Sequence, residues 1–330
     1  MNFKGGGSML KSNYKGYGSG IISAMAWGLD TVLVGVILSM APFINTEAAI
    51  MLAPFVSTFL HDFFSTLWMF IYMIFTKQVG KLFKSLKTPS TKYVILASIF
   101  GGPMGMTGYL LSVNYIGPSY AATISSIYPA VGAVLAAIFL KEKISRKGYI
   151  GLTISILGIA LLGFGNDGGK ASLIGFLFAG LSVLGWGSES VICSYGMKDE
   201  DISPKQALQI RQFISALFSG VIILPLLKAY PLVFEVLKGN VIFLIIGTAL
   251  MGTISYVCYY TAIHKLGPTR AMGLNITYVV WAMIFDKVLL GHDITIKMVI
   301  CALMVMIGSF VVATQPAHEE ELTNVTNTAV

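Results

Sequence analysis

The sequence predicts an all-α integral membrane protein with about ten transmembrane helices arranged as two inverted five-helix repeats. Three observations lead there. Of 330 residues, 55% are hydrophobic and only 11% are charged, whereas soluble domains carry about 25% charged residues. The apolar residues fall in runs near the length of about 20 that a helix needs to cross the hydrocarbon core. The two halves of the chain also share local motifs at matching offsets.

The runs read as helices at about 19–41, 48–75, 93–113, 119–140, 148–165, 172–195, 206–227, 240–263, 270–290 and 296–314. Turn formers separate them: Pro42, Pro89, Pro118, Gly168-Gly169, Pro204, Pro231 and Pro268. The expected organisation is a cytoplasmic N-terminal segment (1–18), a first repeat (19–165), a second repeat (166–315) and a disordered cytoplasmic tail (316–330).

Charge sets the orientation. With an even helix count both termini share one side, and that side carries Lys4, Lys11, Lys15, Lys77, Lys81, Lys84, Lys87, Lys92, Lys141, Lys143, Arg146, Lys147, Lys198, Lys205, Lys265 and Arg270. The other side has Lys170, Lys228, Lys238, Lys287 and Lys297. The positive-inside rule therefore puts both termini in the cytoplasm of a multi-pass inner-membrane protein. The net charge of +7 reads as loop charge rather than a nucleic-acid footprint, because the lysines cluster at helix ends. Cys193, Cys258 and Cys301 lie inside apolar runs and read as small buried hydrophobes, not as disulfides or metal ligands.

The repeat is visible in two places. Trp27-Gly28 opens W-G-L-D and Trp186-Gly187 opens W-G-S-E. NYIGPSYAATISSIYPA (114–130) aligns with HKLGPTRAMGLNITYVV (264–280), matching Gly117-Pro118 to Gly267-Pro268 and Tyr128 to Tyr278. Five helices per half invert the second half relative to the first. That design is common in secondary transporters, with a solute site near the midplane. A solute transporter is the expected class.

Charges at membrane depth are costly and mark solute or ion paths. They are Asp30, His61, Asp62 and Glu189, with Arg211 nearer an end; Asp286 and Lys287 are expected to snorkel to the outer end of helix 9. Glu189 follows Trp186 by three residues and so shares its helix face. A carboxylate beside an indole suits a cation, since the ring face attracts it and the acid neutralises it. The alternative is a structural acid paired with Arg211. His61 and Asp62 are either cavity groups or an interhelical hydrogen-bond pair. Asp30 repeats the Glu189 position and is either a proton site or a satisfied structural acid. Tyr256, Tyr259 and Tyr260 share a face of helix 8, and Asn275, Tyr278 and Trp281 track one side of helix 9. With Trp27 and Trp186 they suit a cage for an onium headgroup, or else interhelical packing. Gly101 to Met106 and Tyr128-Pro129 interrupt helices at depth, which is tolerated against protein or a cavity but not against lipid.

These residues resemble a known family. The ten spans and the Gly-Pro signatures are similar to the drug/metabolite transporter superfamily, EamA branch. WGSESV (186–191), HDF (61–63), GPMGM (102–106), IYPA (127–130), RQ (211–212) and GLNITYVVW (273–281) resemble the bacterial choline permeases, whose substrate feeds phosphocholine decoration of the cell surface. The shared blocks run from helix 1 to helix 9. The resemblance implies a proton-coupled importer of choline and related quaternary-ammonium solutes. Its pocket residues would be Trp27, His61, Trp186, Glu189, Tyr256, Tyr259, Tyr278 and Trp281, and its proton-coupling candidates Glu189, His61, Asp62 and Asp30. Asp30 departs from the pattern, which has a small neutral residue there. The alternative function is a generic EamA-type exporter of amino acids or other metabolites. No enzyme is expected, since HExxH, G-x-S-x-G and phosphate-binding glycine loops are missing from the sequence; neither a cofactor nor a metal is implied.

Overall fold

The computed structural model describes residues 5–139, 145–163, 173–198 and 201–313. Lys4, Lys141, Lys143 and Lys170, together with the tail from 316 to 330, lie outside the described residues. The elements in chain order are α1 (Gly5–Leu38), α2 (Glu47–Phe75), the short α3 (Val79–Ser85), α4 (Thr91–Ile99), a π-helical segment (Phe100–Met106), α5 (Thr107–Ile116), α6 (Pro118–Ser125), α7 (Tyr128–Phe139) and α8 (Arg146–Gly163). Then follow α9 (Leu173–Gly196), α10 (Pro204–Phe218), a second π-helical segment (Ser219–Ile223), α11 (Leu224–Leu226), α12 (Tyr230–Lys238), α13 (Val241–Leu266), α14 (Pro268–Asn275), α15 (Tyr278–Leu290) and α16 (Ile296–Ala313).

Among the described residues, eight helices are long and apolar enough to cross a membrane: Tyr14–Leu38, Glu47–Phe75, Thr91–Ile116, Pro118–Phe139, Leu173–Gly196, Pro204–Leu226, Val241–Leu266 and Arg270–Leu290. Two of these spans, Pro118–Phe139 and Arg270–Leu290, are two helical pieces with a break between them, and two, Thr91–Ile116 and Pro204–Leu226, carry a π-helical segment; the interruptions expected at Gly101 to Met106 and at Tyr128-Pro129 fall in two of the four. The helices α8 and α16 pair with each other. Gly151 and Gly308 face each other so closely that a Cβ on either would overlap the other's carbonyl oxygen, and Ser155 Oγ donates to the Val305 carbonyl at 3.1 Å.

Local chemistry sets the ends. Thr46 caps α2, its hydroxyl accepting from Ala49 N at 3.0 Å. Ser203 and Gln206 form a capping box at α10, with Pro204 at the first helical position. The Gly117 and Gly267 turns have nearly identical backbones, φ 81°, ψ 163° and φ 82°, ψ 164°. That conformation strains any residue with a Cβ, and a proline follows each to start the next helix.

The two halves exchange partners. α1 packs along α13 and α15, while α9 packs along α5, the first π segment and α7. A Cβ at Gly28 would lie 3.0 Å from the Tyr278 carbonyl oxygen, and one at Gly187 3.1 Å from that of Tyr128. The same glycine–tyrosine approach therefore occurs twice, each time between halves. It brings Trp27 and Trp186, the residues just before these glycines, to the centre of the molecule.

One placement expected from sequence is corrected. Asp286 does not snorkel: it is 4% exposed, accepts a short hydrogen bond from Ser119 Oγ of α6, and its other oxygen lies 2.8 Å from His292 Nδ1. Lys287 does reach out, to exposed Asp293 at 2.6 Å. Arg211, in the first half of α10, is 0% exposed.

Candidate functional site

Aromatic rings from five helices meet where α1 and α9 cross the interior. Trp27 stands edge-on to Trp186 (5.6 Å between centroids, 82°) and to Tyr256 (5.2 Å, 73°). Tyr109 of α5 tilts against Trp186 at 4.8 Å, and Tyr128 of α7 stands edge-on to it at 6.0 Å. Between them is a cavity of about 30 Å³, lined by Trp27, Tyr128, Trp186, Glu189, Tyr256, Tyr259 and Tyr278, and on one side by Ser23, Ser255 and Asn275. This volume holds about two waters.

The π segment explains why Glu189 and Trp186 fit here. A Cβ at Gly101 would overlap the Glu189 carboxylate, and one at Gly105 would lie 2.7 Å from Trp186 Cδ1. Gly101, Gly102, Pro103, Gly105 and Met106 are all buried, as is Pro129, so both interrupted stretches face protein and not lipid. π-helical turns recur at functional sites.

Beside the rings runs a continuous chain of buried charge. Glu189 Oε1 accepts from Arg211 Nε at 3.0 Å and from Tyr260 Oη at 2.7 Å. Arg211 Nη1 donates to Asp62 Oδ1 at 3.2 Å and also to Gln212 Oε1. Its Nη2 donates to Tyr256 Oη at 2.9 Å, with the guanidinium 4.4 Å from that ring's centroid. Asp62 Oδ2 accepts a short bond from Ser215 Oγ. His61 Nδ1 lies 3.4 Å from Asp62 Oδ1, and its Nε2 lies 3.1 Å from Asp30 Oδ1. Asp30 Oδ2 and Trp186 Nε1 are buried with no partner.

Three carboxyl groups face one guanidinium and one imidazole, so neutrality requires, beyond Arg211 and a protonated His61, one further proton on a carboxyl group or one further cation. His61 has a carboxylate oxygen at each ring nitrogen. A neutral imidazole has one donor and one acceptor, so both His61 contacts are hydrogen bonds only when the Asp30–His61–Asp62 triad holds one proton more than neutral histidine and two carboxylates.

Six of the eight expected pocket residues line the cavity: Trp27, Trp186, Glu189, Tyr256, Tyr259 and Tyr278. His61 does not line it; it joins α2 to α1 through Asp30. Trp281 does not line it either, since its ring stacks on Phe285 at 6.3 Å. Asp62 turns to α10, and Asp30 to His61. Tyr260, expected with Tyr256 and Tyr259 in the cage, instead donates to Glu189. Sequence reasoning missed Tyr109 and left Ser23 and Ser255 unremarked. It noted Tyr128 as the counterpart of Tyr278 and, with Pro129, as a helix interruption. That correspondence was the available signal, because a pocket between symmetric halves draws equivalent residues from both.

This fold and site define a membrane transporter. The chain belongs to the EamA-like transporter family, which matches it twice, over residues 14–164 and 173–314. It is 35% identical over 271 residues to Protein LicB of Haemophilus influenzae, covering 82% of this chain and 87% of that one. It is 22% identical over 238 residues to an uncharacterized transporter of Archaeoglobus fulgidus, covering 69% and 80%. A solved crystal structure superposes with a TM-score of 0.61 at 16% identity, over 94% of this chain and 99% of that one, a likeness of fold alone.

Proposed function

We propose that this transporter imports choline and related quaternary-ammonium solutes across the bacterial inner membrane, driven by protons. The observation that carries the reading is an aromatic cavity with the Glu189 carboxyl group in its wall. Ring faces bind a cation that offers no conventional hydrogen-bond donor, and the acid beside them favours positive over negative solutes. Arg211, the cation nearest the cavity, is held by Glu189 and Asp62, so a zwitterionic amino acid would find no free counter-ion for its carboxylate. That argues against the amino-acid exporter.

Proton coupling rests on Glu189 and the triad. Solute cation and proton compete at Glu189, and cotransport needs a second proton site that stays loaded while the solute is bound. The extra proton of the Asp30–His61–Asp62 triad fills that role at a distance from the rings. The architecture proposed with it is ten spans in two inverted five-helix halves, 19–165 and 166–315, with both termini cytoplasmic. α8 and α16 would then be the fifth and tenth spans. Two family matches in one chain, the twin Gly-Pro turns and the exchanged glycine–tyrosine contacts support it.

The test is uptake of labelled choline into proteoliposomes with and without an imposed inward pH gradient. Gradient-driven accumulation is expected. Binding of an amino acid in preference to choline, or uptake indifferent to the gradient, would overturn the reading.

A further inference from the structure

The cavity has two unlike sides. Trp27, Trp186 and Glu189 make one. Ser23 of α1, Ser255 of α13 and Asn275, the last residue of α14, make the other. The second side is a built hydrogen-bond strip. Asn275 Nδ2 donates to Ser23 Oγ at 2.7 Å, Ser255 Oγ donates to the Ser23 carbonyl at 2.9 Å, and the two serine oxygens lie 3.2 Å apart. Tyr128 Oη donates to Asn275 Oδ1 at 3.1 Å, fixing which end of the amide faces Ser23. All four side chains are more than nine-tenths buried.

The bonds leave a definite remainder. A hydroxyl oxygen has two lone pairs and one hydrogen, and an amide nitrogen has two hydrogens. With the bonds above made, each serine oxygen keeps a lone pair, and Asn275 Nδ2 keeps one hydrogen that its bond to Ser23 does not use. The strip thus offers acceptors next to a donor. An alcohol complements it, because an alcohol both donates and accepts. A carboxylate only accepts, so it would meet the serine lone pairs with nothing to give them. A methyl group would leave the strip's polar atoms unbonded.

Resting on the reading of the site as an onium pocket, we infer that Ser23, Ser255 and Asn275 are specificity-determining residues that recognise a hydroxyl group on the solute. The preferred class is then a quaternary ammonium bearing an alcohol a short methylene link from nitrogen, with the charged end at the rings and the hydroxyl at the strip. Hydroxyl-free and carboxylate-bearing onium compounds are discriminated against at the strip, not at the rings.

Calorimetric titration of the purified full-length protein with choline, ethyltrimethylammonium and trimethylglycine tests this. Ethyltrimethylammonium is choline without its oxygen. The wild type should bind choline about five- to tenfold more tightly than ethyltrimethylammonium, the worth of one or two net hydrogen bonds, and trimethylglycine more weakly than both. Ser23→Ala and Ser255→Ala should each shrink the choline preference toward unity while changing ethyltrimethylammonium affinity by no more than about twofold. Asn275→Ala also loses the bond to Tyr128, so the serine variants carry the test. Equal wild-type affinity for choline and ethyltrimethylammonium, or a preference unchanged in both serine variants, overturns the hydroxyl assignment and leaves the onium pocket standing. Binding of neither compound to a folded wild type overturns the onium reading itself.

Discussion

Arg211 Nε donates to Glu189 Oε1 at 3.0 Å, tying α10 to α9 through two side chains that are both almost wholly buried. The same guanidinium holds Asp62 of α2. One guanidinium thus binds carboxyl groups from two other helices. Removing one partner of a buried ion pair leaves an uncompensated charge and costs about 3–5 kcal/mol. Arg211→Ala should therefore lower the unfolding temperature in detergent sharply. Glu189→Gln retains an acceptor for Tyr260 and for Arg211, so it should fold with a smaller loss but fail to accumulate choline. Uptake and thermal unfolding measured on the same preparations separate the two. Full uptake by Glu189→Gln would remove Glu189 from the solute's path.

The ring cage predicts a graded series. Trp186→Ala and Trp27→Ala should each weaken choline binding by about thirtyfold, the worth of a desolvated cation–π contact of about 2 kcal/mol. Tyr278→Phe should keep most of the affinity, because it keeps the ring. It loses only the hydroxyl's bond to the Ala122 carbonyl at 2.9 Å, at a cost of about 1 kcal/mol in stability. Trp281→Ala should leave binding near wild type, since its ring lies outside the cavity. Calorimetry on the four variants decides.

His61 separates binding from coupling. It touches Asp30 and Asp62 but not the cavity, so His61→Ala should weaken the dependence of uptake on the proton gradient more than it weakens choline binding. Asp30→Asn removes the second carboxylate of the triad and should act in the same direction. The readout is uptake under an imposed inward pH gradient, compared with choline exchange without one. If His61→Ala retained full gradient-driven accumulation, His61 would be an interhelical bond only.

The glycines of the π segment should behave as part of the pocket. Gly101→Ala places a methyl group on the Glu189 carboxylate, so choline uptake should fall at least tenfold even where the protein still folds. Gly180→Ala, on α9 with nothing within 4 Å of the added carbon, should transport normally, since alanine is the better helix former by up to about 1 kcal/mol. Parallel uptake assays with matched expression make the comparison.

Membrane class, most helix positions and the six ring and acid residues of the pocket follow from the chain itself. Runs of apolar residues, glycine-proline turns and a repeated Trp-Gly pair are local patterns, and local patterns survive without coordinates. Helix periodicity placed Trp186 and Glu189 on one face because they are three residues apart. The partners of the charged groups did not follow. Arg211 lies seven residues after the start of α10 and read as close to the membrane edge; the packing of α10 against α2, α4 and α13 seals it from solvent. Asp286 read as a snorkelling side chain, yet Ser119, far away in sequence, holds it inside. His61 and Trp281 sit in the right helices but face the wrong way for the cavity. Whether a side chain points at a solute, a neighbouring helix or lipid depends on the rotation of each helix about its own axis. That rotation is set by close approaches between halves, such as Gly28 on Tyr278 and Gly187 on Tyr128, which connect residues too distant in the chain for any local pattern to record.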